Sequence, residues 1–291
     1  MLLRILIGVI LAYALLVLLA WGFQERMAFP APRGGLPDAI ELNRLGAQGV
    51  ELVMRDGTRL AGVYLPPHPP VASLGVTAPR TEGGATSPRA QRGAGLLWFY
   101  GNGENIGAIW DIVVAWQPPG VGVLVVDYPG YGASGGRATE PGLYEAADLA
   151  YQALAGRDDV DPARVFVYGR SLGTVAATYT AATHQVVGLI LESPFTNARE
   201  MSGQHYGLFP RFILRLRLDN LGTIARVHCP VLVFHGTADL LVPPRMGEAV
   251  ARAAPGPVEL VWIEGAGHNT TYEVGGHRYR DKLWAFVALT K

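Results

Sequence analysis

The sequence contains little cysteine, little charge and no surplus of either sign. Cys229 is the only cysteine among 291 residues, which excludes an internal disulfide. Lysine and arginine together number 24, as do aspartate and glutamate, and charged residues make up 16% of the chain. Proteins that bind nucleic acids through phosphate contacts carry a basic surplus, so we expect no nucleic-acid partner.

The sequence also lacks the patterns that hold inorganic or nucleotide cofactors. No group of cysteine and histidine residues has the spacing of metal ligands, and no glycine-rich phosphate-binding motif is present. We therefore expect a protein that works without a metal ion and without a cofactor. Any chemistry must then come from the side chains and backbone of the chain itself.

Hydrophobic residues, by contrast, make up 49% of the chain, and 19 consecutive uncharged ones lie near its start. This run, from Ile5 to Phe23, would be roughly 28 Å long as a helix, enough to cross the hydrocarbon core of a bilayer. A cleaved signal peptide usually has a shorter apolar region, followed by a cleavage site with small residues, which is missing here. We expect residues 1–26 to form a single transmembrane anchor.

The orientation of this anchor is only weakly indicated. Arg4 precedes the apolar run, and Arg26 and Arg33 follow it, so the distribution of basic residues barely discriminates. We favour the arrangement in which the amino terminus is cytoplasmic and the remainder of the chain lies on the non-cytoplasmic side.

The most informative motif is Gly169-Arg170-Ser171-Leu172-Gly173. An apolar strand is predicted at 164–168 before it, and a helix at 172–182 after it. Glycines on both sides of a serine permit a sharp turn from strand to helix that raises the hydroxyl toward a substrate. The pattern predicts a nucleophile elbow with Ser171 as the nucleophile.

A second match to this pattern surrounds Ser134, in Gly132-Ala-Ser-Gly-Gly136. It follows a long turn that begins at Asp127, and two glycines and Arg137 come after it instead of a helix. We interpret this copy as a flexible loop.

A serine nucleophile needs a histidine to take its proton and a carboxylate to orient that histidine. Asp239 follows the apolar strand predicted at 229–234, and His268 follows the strand predicted at 258–263. The order serine, aspartate, histidine is the order in which α/β-hydrolases carry these residues. We therefore predict Ser171 as nucleophile, His268 as general base and Asp239 as the acid that orients His268.

Other titratable residues are weaker candidates. His235 precedes the acid in sequence, which favours a structural hydrogen bond, and Asp127 would break the expected order. Glu264 is the alternative to Asp239, but it lies only four residues from His268. A structural salt bridge is the expected role of Arg170.

Residues 50–289 resemble the α/β-hydrolase superfamily, and within it the membrane-anchored Bem46-like and ABHD13/ABHD17-like branch. The phrases that carry the resemblance are Tyr100-Gly-Asn-Gly-Glu-Asn-Ile, Asp127-Tyr-Pro-Gly-Tyr-Gly-Ala-Ser, Tyr168-Gly-Arg-Ser-Leu-Gly, Glu192-Ser-Pro-Phe, His235-Gly-Thr-Ala-Asp and Gly265-Ala-Gly-His. Relatives usually have histidine where this chain has Tyr100, which leaves the backbone role of that loop intact.

Acyl transfer requires hydrogen-bond donors for the oxyanion that forms on the substrate carbonyl. The main-chain N–H of Leu172, directly after the nucleophile, should be one donor. The resemblance implies that the second is the main-chain N–H of Asn102, in the loop after the strand predicted at 96–100.

The rest of the chain is organised around this site. A proline- and glycine-rich linker is expected at 27–49, and a hydrolase domain at 50–291 that begins with an antiparallel strand pair turned at Asp56-Gly57. Six strands alternating with helical segments predict a mainly parallel central sheet with helices on both faces. Residues 66–95 hold six prolines and five glycines without periodicity, and we expect a mobile surface insertion there.

Residues 195–226 interrupt the alternation where related hydrolases carry a lid, and we expect a short one. Its segment 209–218 mixes apolar residues with arginines. It could face lipid headgroups or line an acyl pocket, or it could be a packing helix with solvated arginines, and the sequence leaves these open.

These observations predict a membrane-anchored serine hydrolase that cleaves carboxylic ester or thioester bonds of a small-molecule, lipid-like or acylated substrate. Two alternatives remain open at this point. The same three side chains could serve an aminopeptidase-like serine peptidase, or the fold could be a membrane scaffold without activity.

Overall fold

A computed structural model of the chain describes residues 1–67 and 92–290. The described residues form one eight-stranded sheet, in the order β1-β2-β4-β3-β5-β6-β7-β8. The strands are β1 (Gln48–Val53), β2 (Arg59–Leu65), β3 (Gly93–Phe99), β4 (Val121–Val126), β5 (Val160–Arg170), β6 (Gly188–Glu192), β7 (Val231–Gly236) and β8 (Val258–Ile263).

The sheet is mainly parallel, as predicted. β1 and β2 form an antiparallel hairpin across the turn at Asp56-Gly57, and β2 pairs antiparallel with β4. All other neighbours are parallel. The central strands β4, β6 and β7 are buried along their whole length because helices cover both faces.

From β3 onward, at least one helix separates each pair of consecutive strands. The helices are α1 (Leu2–Ala28), α2 (Ala39–Leu45), α3 (Ile106–Trp116), α4 (Glu140–Ala155), α5 (Gly173–Thr183), α6 (Ala198–His205), α7 (Asn220–Ile224), α8 (Pro244–Ala253) and α9 (Thr271–Leu289). Side-chain caps define several starts: Asn105 accepts from the N–H of Ala108, and Thr139 accepts from that of Gly142. α9 is kinked at Gly276, where φ is +48°.

The amino-terminal helix α1 has the length and composition of a membrane span. Its most apolar 18 residues have a mean hydropathy of 2.8, and none of them is buried in the protein. The following segment, where the proline- and glycine-rich linker is expected at 27–49, contains the short helix α2, which Asp38 caps. β1 then begins at Gln48, two residues before the expected start of the hydrolase domain.

The expected insertion at 66–95 lies mostly outside the described residues. Its last three residues differ from the expectation, because 93–95 are the first residues of β3. Val160 pairs with Gly93, and the side chains of Val160 and Leu154 press against Gly95. Gly95 therefore belongs to the core of the sheet, where a side chain would not fit.

The lid region, 195–226, contains α6, a single 3-10 turn at Arg211–Ile213 and α7. The segment 209–218 is therefore not a packing helix. Pro210 cannot donate a helical hydrogen bond, and the residues after Ile213 run extended beside the carboxyl-terminal part of α1.

Candidate active site

The strand-turn-helix around Ser171 is present. β5 ends at Arg170, Ser171 has the positive φ of +50°, and α5 begins at Gly173. A positive φ strains any residue with a side chain, and such strain persists only where the surroundings enforce it. Here a Cβ at Gly173 would collide with the main chain of Phe99, and one at Gly169 would collide with Gly173 itself.

Ser171, His268 and Asp239 form one hydrogen-bonded chain. The Oγ of Ser171 lies 3.0 Å from Nε2 of His268, and Nδ1 of His268 lies 2.8 Å from Oδ2 of Asp239. They come from the ends of β5, β8 and β7, which meet at the carboxyl edge of the parallel sheet. With Nδ1–H donated to Asp239, the lone pair of Nε2 faces the serine hydroxyl and can accept its proton.

Asp239 is buried and held in a fixed orientation. Its Oδ1 accepts the main-chain N–H groups of Leu241, at 3.0 Å, and Val242, at 2.8 Å. Burial opposes ionisation, but the hydrogen bond and charge of His268, together with the N–H of Val242, outweigh it and lower the pKa of Asp239. The carboxylate is therefore ionised at neutral pH.

A largely apolar cavity of about 440 Å³ opens at Ser171. This volume is within the range of small-molecule sites. The lid supplies most of one wall, including Met201, Phe209 and Ile213, and α1 supplies part of another. No aspartate or glutamate is among the described residues that line it.

Two main-chain N–H groups beside this cavity are available to a ligand. Leu172 and Asn102 both line the cavity next to Ser171, and neither N–H has an acceptor among the described residues. Leu172 lies at the amino-terminal end of α5, where the helix dipole adds positive potential. The arrangement can bind a developing negative charge on oxygen.

Comparison with known proteins indicates the family. Residues 91–224 match the family model described as serine aminopeptidase, S33. The chain is 33% identical over 277 residues to the uncharacterized protein Rv2307c of Mycobacterium tuberculosis, covering 94% of this chain and 90% of that protein. It is 33% identical over 202 residues to the human α/β hydrolase domain-containing protein 17B, covering 66% of each chain.

Solved structures share the same architecture. An esterase from Pyrococcus furiosus superposes with a TM-score of 0.65 at 15% identity, over 89% of this chain and 98% of that one. A puromycin-hydrolyzing peptidase from Mycobacterium tuberculosis has a TM-score of 0.65 at 21% identity, over 84% of this chain and only 39% of that one. The chain belongs to the α/β-hydrolase superfamily. Within it, the chain is similar to the 17B and 17C proteins, with 33–35% identity.

In this α/β-hydrolase the second serine motif is structural. Ser134 is fully buried; its Oγ donates to the main-chain oxygen of Asp127 and accepts the N–H of Ala61. The Asp127 carboxylate in turn accepts the N–H of Ile106 and the hydroxyl of Tyr100. The loop is thus tied down by buried hydrogen bonds and is not the flexible loop that the sequence suggested.

Tyr100 belongs to the same group of buried hydrogen bonds. Its hydroxyl also accepts the N–H of Tyr128, and the hydroxyl of Tyr128 donates to the main-chain oxygen of Tyr100 at 2.7 Å. Burial, followed by the charge of Asp127, raises the pKa of Tyr100 well above its usual value. A neutral phenol therefore fixes the start of the loop that carries Asn102.

Arg170, the residue before Ser171, connects the loop that carries His268 with the loop that carries Asn102. Its guanidinium is buried, pairs with Glu192 at 3.1 Å and with Glu104, and donates to the main-chain oxygen of His268 at 2.9 Å. Glu104 accepts the N–H of Gly101 at 2.6 Å, directly before Asn102. Arg170 therefore stabilises the loop that carries His268 and, through Glu104, the loop that carries Asn102.

His235 is buried and does not act as the base in this geometry. Its Nε2 lies 2.8 Å from the main-chain oxygen of Val242, and its Nδ1 has no partner among the described residues. Burial lowers its pKa, so the ring is neutral. Gly247 makes room for it, because a Cβ there would collide with Nδ1. The alternative acid Glu264 is exposed to solvent.

Two contributors to the site were missed by sequence reasoning. Glu104 is one of them, and its only signal in the sequence is an acidic side chain within a glycine-rich loop. Gln24 contacts Ile213 and Arg215, about 190 positions away, and no local pattern could have indicated this. Across residues 1–67 and 92–290, no three or more histidine, cysteine, aspartate or glutamate side chains are grouped as metal ligands.

Proposed function

We propose that this α/β-hydrolase is a membrane-anchored serine hydrolase that cleaves carboxylic ester or thioester bonds of lipid-like or acylated substrates. The observation that carries the proposal is the hydrogen-bonded chain from Ser171 through His268 to Asp239. The order and spacing of these three side chains are those that acyl transfer by a serine nucleophile requires.

The reaction has two steps. Ser171 attacks the acyl carbonyl while His268 takes its proton, and Asp239 stabilises the imidazolium that results. The N–H groups of Leu172 and Asn102 bind the oxyanion, His268 returns the proton to the departing alcohol or thiol, and an acyl-enzyme remains. A water molecule, deprotonated by His268, then releases the acid and restores Ser171.

The cavity supports an acyl substrate with an apolar chain. Its walls are mainly aliphatic and aromatic side chains, among them Phe195, Leu214 and Leu216. An aminopeptidase must pair the ammonium group of its substrate with a carboxylate, and none lines this cavity in the described part of the chain. The ester or thioester reaction is therefore preferred to the aminopeptidase reaction, which the name of the matching family model suggests.

Anchoring by α1 is the second part of the proposal. The helix is 27 residues long and exposes apolar side chains, such as Leu11 and Leu18, along most of its length. Exposed apolar area on this scale is stable in a bilayer and not in water. Trp21 and Phe23 lie at the end of the apolar run, where aromatic residues favour the membrane interface.

Labelling with a fluorophosphonate probe tests the mechanism. The full-length wild type in detergent should be labelled and should hydrolyse p-nitrophenyl esters, whereas Ser171→Ala should do neither. Ser134→Ala is the matched control, because Ser134 lies in the other Gly-x-Ser-x-Gly motif but only supports a loop. Label retained by Ser171→Ala would overturn the assignment, and an unlabelled wild type would favour a scaffold without activity.

A further inference from the structure

The helix α1 does more than precede the hydrolase domain: it forms part of the cavity wall. Ala20, Gln24, Met27 and Ala28 all line the cavity that opens at Ser171. The main-chain oxygen of Ala28 also accepts a 2.7 Å hydrogen bond from the side chain of Asn102. The carboxyl-terminal part of α1, from Ala20 to Ala28, therefore forms part of the site.

Specific polar contacts join α1 to the lid across the cavity. Gln24 is only 7% exposed, and its amide oxygen accepts the N–H of Arg215 at 2.7 Å while its amide nitrogen approaches the main-chain oxygen of Ile213 at 3.4 Å. The guanidinium of Arg215 stacks 4.8 Å above the ring of Trp21 and donates to its main-chain oxygen. These contacts hold the lid against the helix.

A further contact shows how far the lid extends along α1. The hydroxyl of Tyr13 donates to the main-chain oxygen of Leu208 at 2.9 Å. Tyr13 lies eight residues before Trp21, a distance of about 12 Å along a helix. The lid therefore runs beside the part of α1 that the hydrocarbon of a bilayer would surround.

The exposed residues of the lid suit that position. Leu208 and Phe212 are 68% and 83% exposed, and Tyr206 is 47% exposed. Next to them, Arg211, Arg215 and Arg217 line a second pocket in the lid region, together with Arg199 and Asp219. Apolar side chains beside a row of arginines are typical of segments that lie in the interface of a membrane with phosphate headgroups.

We propose that α1 is a wall of the acyl-binding site as well as an anchor, and that long acyl chains reach Ser171 from one bilayer leaflet through the cleft between α1 and residues 206–215. This rests on the proposed hydrolase function and narrows its substrates to long-chain esters or thioesters that reside in the membrane. The cleft is the route because its walls, Ala20 on α1 and Phe209 on the lid, are apolar, and both α1 and the lid expose further apolar side chains.

A larger side chain in place of Ala20 tests whether α1 is a wall of the acyl-binding site. Ala20→Phe in the full-length enzyme, reconstituted in phosphatidylcholine vesicles, should lower kcat/KM for p-nitrophenyl palmitate by at least about tenfold. Hydrolysis of p-nitrophenyl butyrate should fall by a clearly smaller factor, because a short acyl chain fills less of the cavity than a palmitoyl chain. Ala14→Phe, an exposed position on another side of α1 that does not line the cavity, should affect neither substrate.

The outcomes separate this inference from the proposed function. A wild type that hydrolyses neither ester and takes no label contradicts the proposed function itself. If the wild type is active and Ala20→Phe lowers kcat/KM equally for both substrates, or for neither, the hydrolase function stands. The role of α1 as a wall of the site is then wrong.

A substitution on the lid tests whether the substrate enters from the bilayer. Phe212→Glu puts a charge on the exposed side of the lid, away from Ser171. It should slow hydrolysis of p-nitrophenyl palmitate embedded in vesicles by about tenfold or more, but not hydrolysis of the same ester dispersed in detergent. Equal rates in vesicles for wild type and variant would show that the substrate enters from water.

Discussion

Arg170 donates a 2.9 Å hydrogen bond to the main-chain oxygen of His268, so the residue before the nucleophile fixes the loop of the base. The same guanidinium pairs with Glu192, which is completely buried and also accepts the hydroxyls of Tyr168 and Tyr279. The alignment of Ser171 with His268 thus depends on a buried ionic group as well as on the turn itself.

Arg170→Met should destabilise the protein strongly. Removing one partner of a buried ion pair leaves the other charge uncompensated, which costs about 3–5 kcal/mol. Arg170→Lys keeps the charge but cannot reach Glu192, Glu104 and His268 together, so kcat should fall more than KM rises. Urea unfolding and steady-state kinetics measure both effects. Wild-type stability and kcat in both variants would contradict the role assigned to Arg170.

Gly173→Ala should prevent the turn around Ser171 from packing against the end of β3. The added methyl group would meet the main chain of Phe99 and Tyr100, which cannot move without disturbing β3. We expect a loss of more than about 3 kcal/mol in the free energy of unfolding and no fluorophosphonate labelling. Gly49→Ala is the matched control, because nothing lies within 4 Å of its added Cβ. Equal stability of the two variants would show that the elbow tolerates a side chain.

Asp239→Asn should preserve the fold and remove most of the activity. The amide oxygen can still accept the N–H groups of Leu241 and Val242, but it does not stabilise the imidazolium of His268. By analogy with the same change in other triads, kcat should fall about 10³–10⁴-fold. A loss of less than tenfold would indicate that another group, such as Glu264, orients His268.

The pH dependence of stability follows from the lowered pKa of Asp239. A carboxyl whose pKa is lower in the folded state than its ordinary 3.8 stabilises the fold fully above that value and loses this contribution as the pH falls through the folded pKa. The stability difference between wild type and Asp239→Asn should therefore decline as the pH falls from about 5 to below about 4. Urea titrations across this range measure it, and a decline that begins at neutral pH would contradict the lowered pKa.

Cys229 should be unreactive. Burial raises the pKa of its thiol to about 11. At pH 8 the thiolate fraction is then roughly 200-fold smaller than that of an ordinary cysteine. Iodoacetamide at pH 8 should alkylate the native enzyme much more slowly than glutathione and leave ester hydrolysis unchanged. Rapid alkylation of the native protein, read by mass spectrometry, would contradict this assignment.

Much of the fold was predictable because its signals are local. Six apolar strands, the turn at Asp56-Gly57 and the glycines around Ser171 each follow from short-range sterics and burial. The serine, aspartate and histidine could be placed at one edge of the sheet because the carboxyl ends of parallel strands meet there. The likeness to solved α/β-hydrolases confirms the predicted architecture.

Other features could not be predicted because their partners are distant in sequence. Nothing local distinguishes Ser134 in a mobile loop from Ser134 bonded to Asp127 and Ala61, and Gly95 becomes a strand residue only through contact with Val160. The lid sequence mixes apolar and basic residues, and its extended path depends on Gln24 of α1.

Neighbouring residues are enough to indicate the order of strands and helices, the elbow at Ser171 and an apolar helix long enough for a membrane, because each of these features is local. The tertiary structure alone decided that Arg170 connects the two loops of the site, and that α1 and the lid together enclose the cavity. Those arrangements arise from packing between segments up to about 190 residues apart, and no pattern of neighbouring side chains encodes such packing.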